Sequence, residues 1–423
     1  MTDRIQSVKG MHDILTDATP GWRAIEDRII NILDRYGYRE IRIPVVERTE
    51  LFKRSIGEAT DIVTKEMYSF TDQGEDSLTL RPEGTAGCVR AVLQNSLLQQ
   101  SALRLWYMGP MFRREQPQKG RTRQFHQIGV EVFGLEGPDI DAEIIMMSAR
   151  IWRDLGVPDL VLQINTLGTP AARQNYRRVL VDYFTANQDQ LDTDSRNRML
   201  KNPLRILDSK HPAMQELIRN APGVEDHLDA ASLAHFTGLQ ALLTGANIDF
   251  VVNPRLVRGL DYYSKTVFEW TTDRLGAQGT VCAGGRYDGL VEHFGGKPTP
   301  ATGFALGLER LVELVGAAAT NTDPAGTDVY FILAGERAVT AGFRLAEQIR
   351  DQLPVRVLLH CGGGSFKSQF KKADKSGARL ALILGESEVD REYIAIKPLR
   401  HDEPQTEVRW DGLIPALKLA LEL

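Results

Sequence analysis

Residues Arg113–Phe133, RREQPQKGRTRQFHQIGVEVF, decide how the rest of the chain is read. The first half sets five basic residues, Arg113, Arg114, Lys119, Arg121 and Arg123, against one acid, Glu115. The second half alternates. Successive side chains of a strand point to opposite faces, so His126, Ile128, Val130 and Val132 share one side and Gln127, Gly129, Glu131 and Phe133 the other. That second side spaces an amide and a carboxylate about a glycine, which leaves room between them. A strand burying one face and offering Gln-gap-Glu on the other suits the floor of a pocket. A cationic loop leading onto it suits a polyanion meeting a small, positively charged ligand. The same pattern also suits a half-exposed antiparallel strand with a solvated hairpin loop. The segment alone leaves both open.

Working outward, 104–112 and 124–133 read as the two arms of a hairpin around the basic loop. Trp22, Ile25, Ile29, Leu33 and Tyr36 form one apolar stripe, which predicts a helix over 22–36 closed by Gly37. Tyr38–Pro44 alternates as a strand, ending or lying at an edge because proline cannot donate to a ladder. LTLR (78–81) is a short strand, and Thr85 is positioned to cap a helix starting near Ala86. LVLQIN (160–165) is a further strand. From 170 to 230 the pattern turns helical, rich in Arg, Asp and Asn, and reads as an insertion. Strands resume at 249–252, 266–270 and 279–283, and 299–315 gives a strand, a glycine and a helix with Leu308, Leu311, Val312 and Val315 facing the core.

GAAATNTDPAGT (316–327) reads as a linker. Beyond it, strand (329–334), helix (338–353), strand (355–359), helix (366–376) and strand (380–384) alternate, which predicts a small α/β domain with a mostly parallel sheet. The first two-thirds predict an α+β domain with an antiparallel sheet. The expected boundaries are 1–169, the helical insertion 170–230, the resumed domain 231–322, and 328–423.

With 423 residues the chain is too long for a single core. A quarter of its residues are charged and no apolar run is long enough to cross a bilayer. The charged N-terminal region lacks an apolar signal segment, which argues against secretion. Cys88, Cys282 and Cys361 lie far apart, which argues for a reducing compartment and against a zinc site or disulfide framework. The net charge of −5 means that any nucleic-acid contact must come from local basic patches.

Four segments carry polar groups that a packed core would not want: Arg81–Thr85 (RPEGT), the hairpin above, Leu256–Tyr263 (LVRGLDYY) and Ala283–Leu290 (AGGRYDGL). Gly303 and Arg310 complete the set. Together they resemble the class II aminoacyl-tRNA synthetases, and among these the histidyl-tRNA synthetase family. Pro44 sits where motif 1 has its proline, FRREQPQKGRTRQFHQ is similar to motif 2, and GFALGLERL is similar to motif 3. RGLDYY and AGGRYDGL resemble the two peptides peculiar to the histidine enzymes, and VKGMHDIL resembles their opening. The likeness spans nearly the whole chain.

The resemblance implies ATP-dependent ligation of L-histidine to its tRNA, tRNA(His), through a histidyl-adenylate. It implies Arg258 and Arg113 as catalytic cations, and Arg113, Glu115, Arg121 and Arg310 around ATP. Glu83, Thr85, Gln127, Glu131, Tyr262, Tyr263 and Tyr287 would surround histidine, with Glu131 and Tyr263 at the two ends of the imidazole. Gln118, Arg121 and Arg123 would touch the tRNA acceptor end. Residues 328–423 would bind the anticodon, Mg²⁺ would accompany ATP, and the enzyme would be a cytoplasmic homodimer. Physically, adenylation concentrates charge on phosphate oxygens, so the site needs preorganised cations more than covalent chemistry.

Two other readings compete. One is a regulatory paralogue of the kind that serves ATP phosphoribosyltransferase, which would lack the C-terminal domain and lose active-site residues. The other is a class II enzyme for threonine, glycine or proline, against which RGLDYY and AGGRYDGL argue. Ser365–Lys375 mixes bases with Phe366 and Phe370, which suits phosphate contact with stacking, or a solvated helix with both phenylalanines in the core. No histidine has metal-ligand spacing, and none is assigned as a ligand or base.

Overall fold

A computed structural model describes residues 4–57, 60, 62–99, 102–117, 120–200, 202–209, 211–319 and 326–423, without the side chains of 277, 278 and 317–319. The chain divides into two compact units, Met1–Thr320 and Asn321–Leu423.

The first unit opens with α1 (Thr19–Arg35), which buries Ile25, Ile29, Ile32 and Leu33, and Gly37 follows with φ +78°. The strand expected over Tyr38–Pro44 is shorter than its alternation suggests. Only β1 (Arg39–Glu40) pairs in a ladder. Past it, the Ile41 amide bonds the Trp106 carbonyl, the Arg81 guanidinium takes the Ile43 carbonyl, and the Arg81 amide takes the Val45 carbonyl. A side chain therefore satisfies backbone that a neighbouring strand would otherwise pair. Next come β2 (Val46–Arg48), α2 (Thr49–Ile56), β3 (Tyr68–Thr71), β4 (Ser77–Leu80) and α3 (Thr85–Gln94).

The hairpin forms as β5 (Leu103–Phe112) and β6 (Gln124–Phe133), followed by α4 (Pro138–Leu155) and β7 (Val161–Thr166). The helical stretch contains α5 (Pro170–Ala186), α6 (Thr193–Met199) and α7 (Gln215–Arg219), and α8 (Ala230–Gly245) follows it with Phe236, Leu239 and Leu243 in the core of the main sheet. The apolar side chains of the stretch, among them Tyr176, Leu180 and Phe184, share a cluster with Leu256, Val257 and Tyr263. Then come β8 (Val251–Val252), β9 (Ser264–Thr271), β10 (Thr280–Arg286), α9 (Leu290–His293), β11 (Ala301–Gly307) and α10 (Leu308–Ala319).

The main sheet has eight strands in the order β1-β5-β6-β11-β10-β9-β7-β8. Its interior pairings are antiparallel, and only the outermost two, β1 with β5 and β7 with β8, are parallel. One face carries Trp106, Ile128, Val130, Phe304, Leu306, Phe268 and Ile164 into a core shared with α1, α4 and α8. Register then fixes the other face. Gln127, Gly129 and Glu131 lie opposite Gly307, Ala305 and Gly303, while Tyr107 lies opposite Gly129 and Glu269 opposite Ala283. Three adjacent small residues on β11 leave a trough in the middle of the sheet, with polar side chains around it.

The second unit contains β12 (Val329–Ala334), α11 (Glu336–Gln352), β13 (Val357–Leu359), α12 (Phe366–Lys375), β14 (Leu380–Gly385), α13 (Glu386–Arg391), β15 (Tyr393–Pro398), β16 (Thr406–Arg409) and α14 (Leu413–Leu421). Its five strands run β13-β12-β14-β15-β16, with a core of its own. The sheet is mixed rather than mostly parallel, because β15 and β16 add in antiparallel fashion. Parallel neighbours need a long crossover, and the connection from β14 to β15 is one short helix turned by Glu392 at φ +54°. Along α12, Phe366 is exposed, while Phe370 is partly buried and packs against the cluster of Tyr330, Ile332, Ala373, Ala378 and Ala381. Ala373 and Gln369 are buried, and the Gln369 amide bonds both the N–H and the C=O of Leu333.

Candidate active site

Above the trough lies a cavity of about 190 Å³, lined by residues from the sheet, from Glu83–Thr85 and from Arg258–Tyr263. Of the residues expected at the site, it brings together Glu83, Thr85, Arg113, Glu115, Arg121, Gln127, Glu131, Arg258, Tyr262, Tyr263, Tyr287 and Arg310. Gln118 lies outside the described residues. Arg123 is not among the lining residues. It ties the N-terminal segment down, its amide bonding Gly10 O at 2.6 Å and its guanidinium bonding Glu115 O and Lys9 O.

One end of the cavity is built on buried carboxyls. Glu131 is 1% exposed. Its Oε1 accepts from Thr85 Oγ1 at 2.7 Å and Tyr107 OH at 3.0 Å, and its Oε2 accepts from Tyr287 OH. Burial pushes this carboxyl up to about 8, against the downward pull of those hydroxyls. Gly303 makes room for it, since a Cβ there would collide with Oε2. Gly84 and Gly129 likewise admit the Tyr107 ring from two sides, and a Cβ on either would strike it. The gap beside Gly129 is thus occupied by Tyr107, not open as the alternation implied.

Glu83, also buried, accepts from the amides of Thr85 at 2.7 Å and Ala86 at 3.0 Å. The helix cap expected of Thr85 is therefore made by Glu83. A carboxylate reaches the first free N–H groups and suits the positive end of the helix better than a hydroxyl does. Thr85 is left to serve Glu131. Burial raises the Glu83 carboxyl, while the two backbone bonds and Arg113 lower it. Tyr262 packs between Tyr263 and Tyr287, with ring centroids 4.8 and 5.6 Å away.

The other end is cationic. Arg113 donates from Nε to Pro82 O at 2.8 Å and lies over the Phe125 ring. Arg121 pairs with Glu115 at 2.9 Å, and Glu115 also faces Arg113 at 3.9 Å. Arg310 donates to the carbonyls of Gly120 and Thr280. Burial and the neighbouring Arg121 charge lower its pKa. Arg258 donates from NH1 to Glu269 Oε2 at 2.9 Å, stacks near Tyr263, and leaves its buried Nε without a partner. Thr280 Oγ1 holds the second oxygen of Glu269.

Tyr107, Glu269, Thr280 and Glu309 were not anticipated from the sequence. Glu309 accepts from both the backbone N–H and Nδ1 of His126, fixing the start of α10 to the start of β6. The alternation of β5 held a signal for Tyr107, because it falls opposite a glycine in the hairpin register. Glu269 and Thr280 lie on neighbouring strands whose pairing no short-range pattern announces.

A family model described as histidyl-tRNA synthetase matches residues 10–311, and one described as an anticodon binding domain matches 328–419. A histidine–tRNA ligase of Hydrogenovibrio crunogenus is 57% identical over 422 residues, covering 100% of this chain and 99% of its relative. The apo histidyl-tRNA synthetase of S. aureus superposes with a TM-score of 0.82 at 32% identity, covering 98% of this chain and 100% of that one. A Bacillus halodurans structure described as an ATP phosphoribosyltransferase regulatory subunit/histidyl-tRNA synthetase gives 0.67 at 23% identity, over 91% and 99%. At that identity it speaks for the fold alone.

Proposed function

We proceed from the fact that this chain belongs to the histidyl-tRNA synthetase family, and propose that it ligates L-histidine to its tRNA in two steps. ATP is the co-substrate, histidyl-adenylate the intermediate and pyrophosphate the first product. The observation that carries this reading is that one cavity has buried carboxyls at one end and guanidinium groups at the other.

The amino acid carboxylate attacks the α-phosphate and pyrophosphate leaves. Arg113, whose planar fork suits both oxyanions, bridges carboxylate and α-phosphate. Arg258 faces the same phosphate, its guanidinium fixed by the ion pair with Glu269. Arg310 and Arg121 border the nucleotide end, with Glu115 setting the Arg121 fork. One preorganised donor of this kind is worth roughly 3–4 kcal/mol of barrier.

At the other end, Glu83, Thr85 and Gln127 offer acceptors for the α-ammonium. Burial favours the protonated form of Glu131, and an incoming imidazole N–H favours the ionised one, in which a carboxylate has about four acceptor positions. Tyr107, Thr85 and Tyr287 occupy three at Glu131, leaving one for an imidazole N–H. Tyr263 serves the opposite ring nitrogen. A side chain without ring N–H groups leaves these buried partners unpaired, which is the basis for rejecting it.

Among the described residues no group of three His, Cys, Asp or Glu is placed to hold a metal ion. Mg²⁺ would enter with ATP, held mostly by phosphate oxygens and water. The loop around Arg121 borders the acceptor end of the tRNA and 328–423 reads the anticodon. A cytoplasmic homodimer completes the proposal. Among the described residues no helix is long and apolar enough to cross a membrane.

The test is ATP–pyrophosphate exchange with each of the twenty amino acids. Exchange with histidine alone is expected. Exchange with a different amino acid moves the substrate, and no exchange with any removes the enzyme reading.

A further inference from the structure

The segment between β8 and β9 delivers Arg258, Tyr262 and Tyr263 to the cavity, yet residues 253–263 belong to no helix or strand. A loop that must hold a cation and a ring accurately needs its backbone fixed by something else. The fixing groups come from β7 and the helical stretch. Asn165 Nδ2 donates to Leu256 O at 3.0 Å. Arg173 NH1 donates to both Asp261 O and Tyr263 O, each at 2.9 Å. Asn202 Nδ2 donates to Asp261 Oδ1 at 2.7 Å.

Arg173 is itself firmly based. It lies in the first turn of α5, where Thr169 caps the helix and is bonded in turn by Ser232 and Asp229. Its donor reaches carbonyls on either side of Tyr262, so it spans the stretch of chain that aims two of the three side chains. Arg258 lies over the Tyr263 ring, 5.9 Å from its centroid, and so shares any displacement of that residue.

We propose that Arg173, assisted by Asn202, is a positioning residue for catalysis: it acts through the backbone of Asp261 and Tyr263 to set the histidine pocket and Arg258. The inference rests on the functional reading above. It makes the helical stretch part of the amino acid site rather than a neighbour of it.

The test uses the full chain, with pyrophosphate exchange measured per active site titrated by the adenylate burst. Arg173→Ala should lower kcat/KM for histidine at least tenfold, mostly through KM. Arg173→Lys, which keeps a donor on a shorter reach, should recover part of the loss. A fall only in the number of active sites, with the histidine KM unchanged, would reduce Arg173 to a folding role and overturn the proposal. Should Arg173→Ala fail to fold, Asn202→Ala decides. A severalfold rise in histidine KM supports the clamp, and an unchanged KM overturns it. Absence of exchange in the wild type would overturn the functional reading together with this inference. Wild-type exchange with unmoved variants overturns the inference alone.

Discussion

Glu131 concentrates the electrostatic cost of this site in one side chain. It is buried, held by three hydroxyls, and raised from an ordinary 4.5 to about 8. A folded-state pKa above the unfolded one means that the native protein binds the extra proton between those values. The stabilisation is then complete below about pH 4.5 and is lost as pH rises through 8. One pKa unit corresponds to about 1.4 kcal/mol, so several kcal/mol separate the two ends of the window. Glu131→Gln carries no such proton. Thermal unfolding of the two proteins at pH 5, 7 and 9 should show the wild type losing ground to the variant with rising pH, then holding level. Parallel curves would mean that the carboxyl is ionised throughout. Alternation displayed Glu131 on the pocket side of its strand, but only the family resemblance brought Thr85 and Tyr287 near it and Tyr107 was missed, because all three arrive from other places in the chain.

At the scale of elements, the hairpin was legible because period-two alternation is local and strong, and β5 and β6 form within a residue or so of where it placed them. The shortened strand after α1 and the late antiparallel pair in the second unit were not. In both, the outcome depends on which distant group takes the backbone: Arg81 in one case, β14 in the other. The same limit hid Glu309, which a helical stripe marks only as facing away from the core. Its carboxylate, on the second residue of α10 and the one before Arg310, holds the His126 backbone and ring at 2.9 Å and so anchors the start of the helix. Glu309→Ala should leave a half-buried amide unpaired, at a cost of about 1–3 kcal/mol. Because Arg310 shifts with the helix start, the KM for ATP should rise more than that for histidine. Denaturant unfolding and paired exchange kinetics check both. Equal changes in the two KM values would mean that Glu309 supports the whole sheet rather than the nucleotide end.

Over the whole molecule, chemistry and core divide along the same line. Every residue lining the cavity belongs to the first unit, and each unit closes a hydrophobic core from its own residues. In the first unit the trough exists because β11 places Gly303, Ala305 and Gly307 side by side facing the cavity while Phe304 and Leu306 fill the opposite face. Among the described residues, that arrangement is built from the first unit. Removal of 321–423 should therefore leave adenylate formation within a fewfold of the full chain. Transfer to tRNA should fall by orders of magnitude, because the second unit supplies contacts that only the macromolecular substrate uses, and binding energy remote from the reacting atoms is lost with them. Side-by-side pyrophosphate exchange and tRNA charging on the truncated chain measure the two steps. A matching collapse of both, with cooperative unfolding intact, would assign the second unit a part in shaping the cavity, and the division of labour would fail.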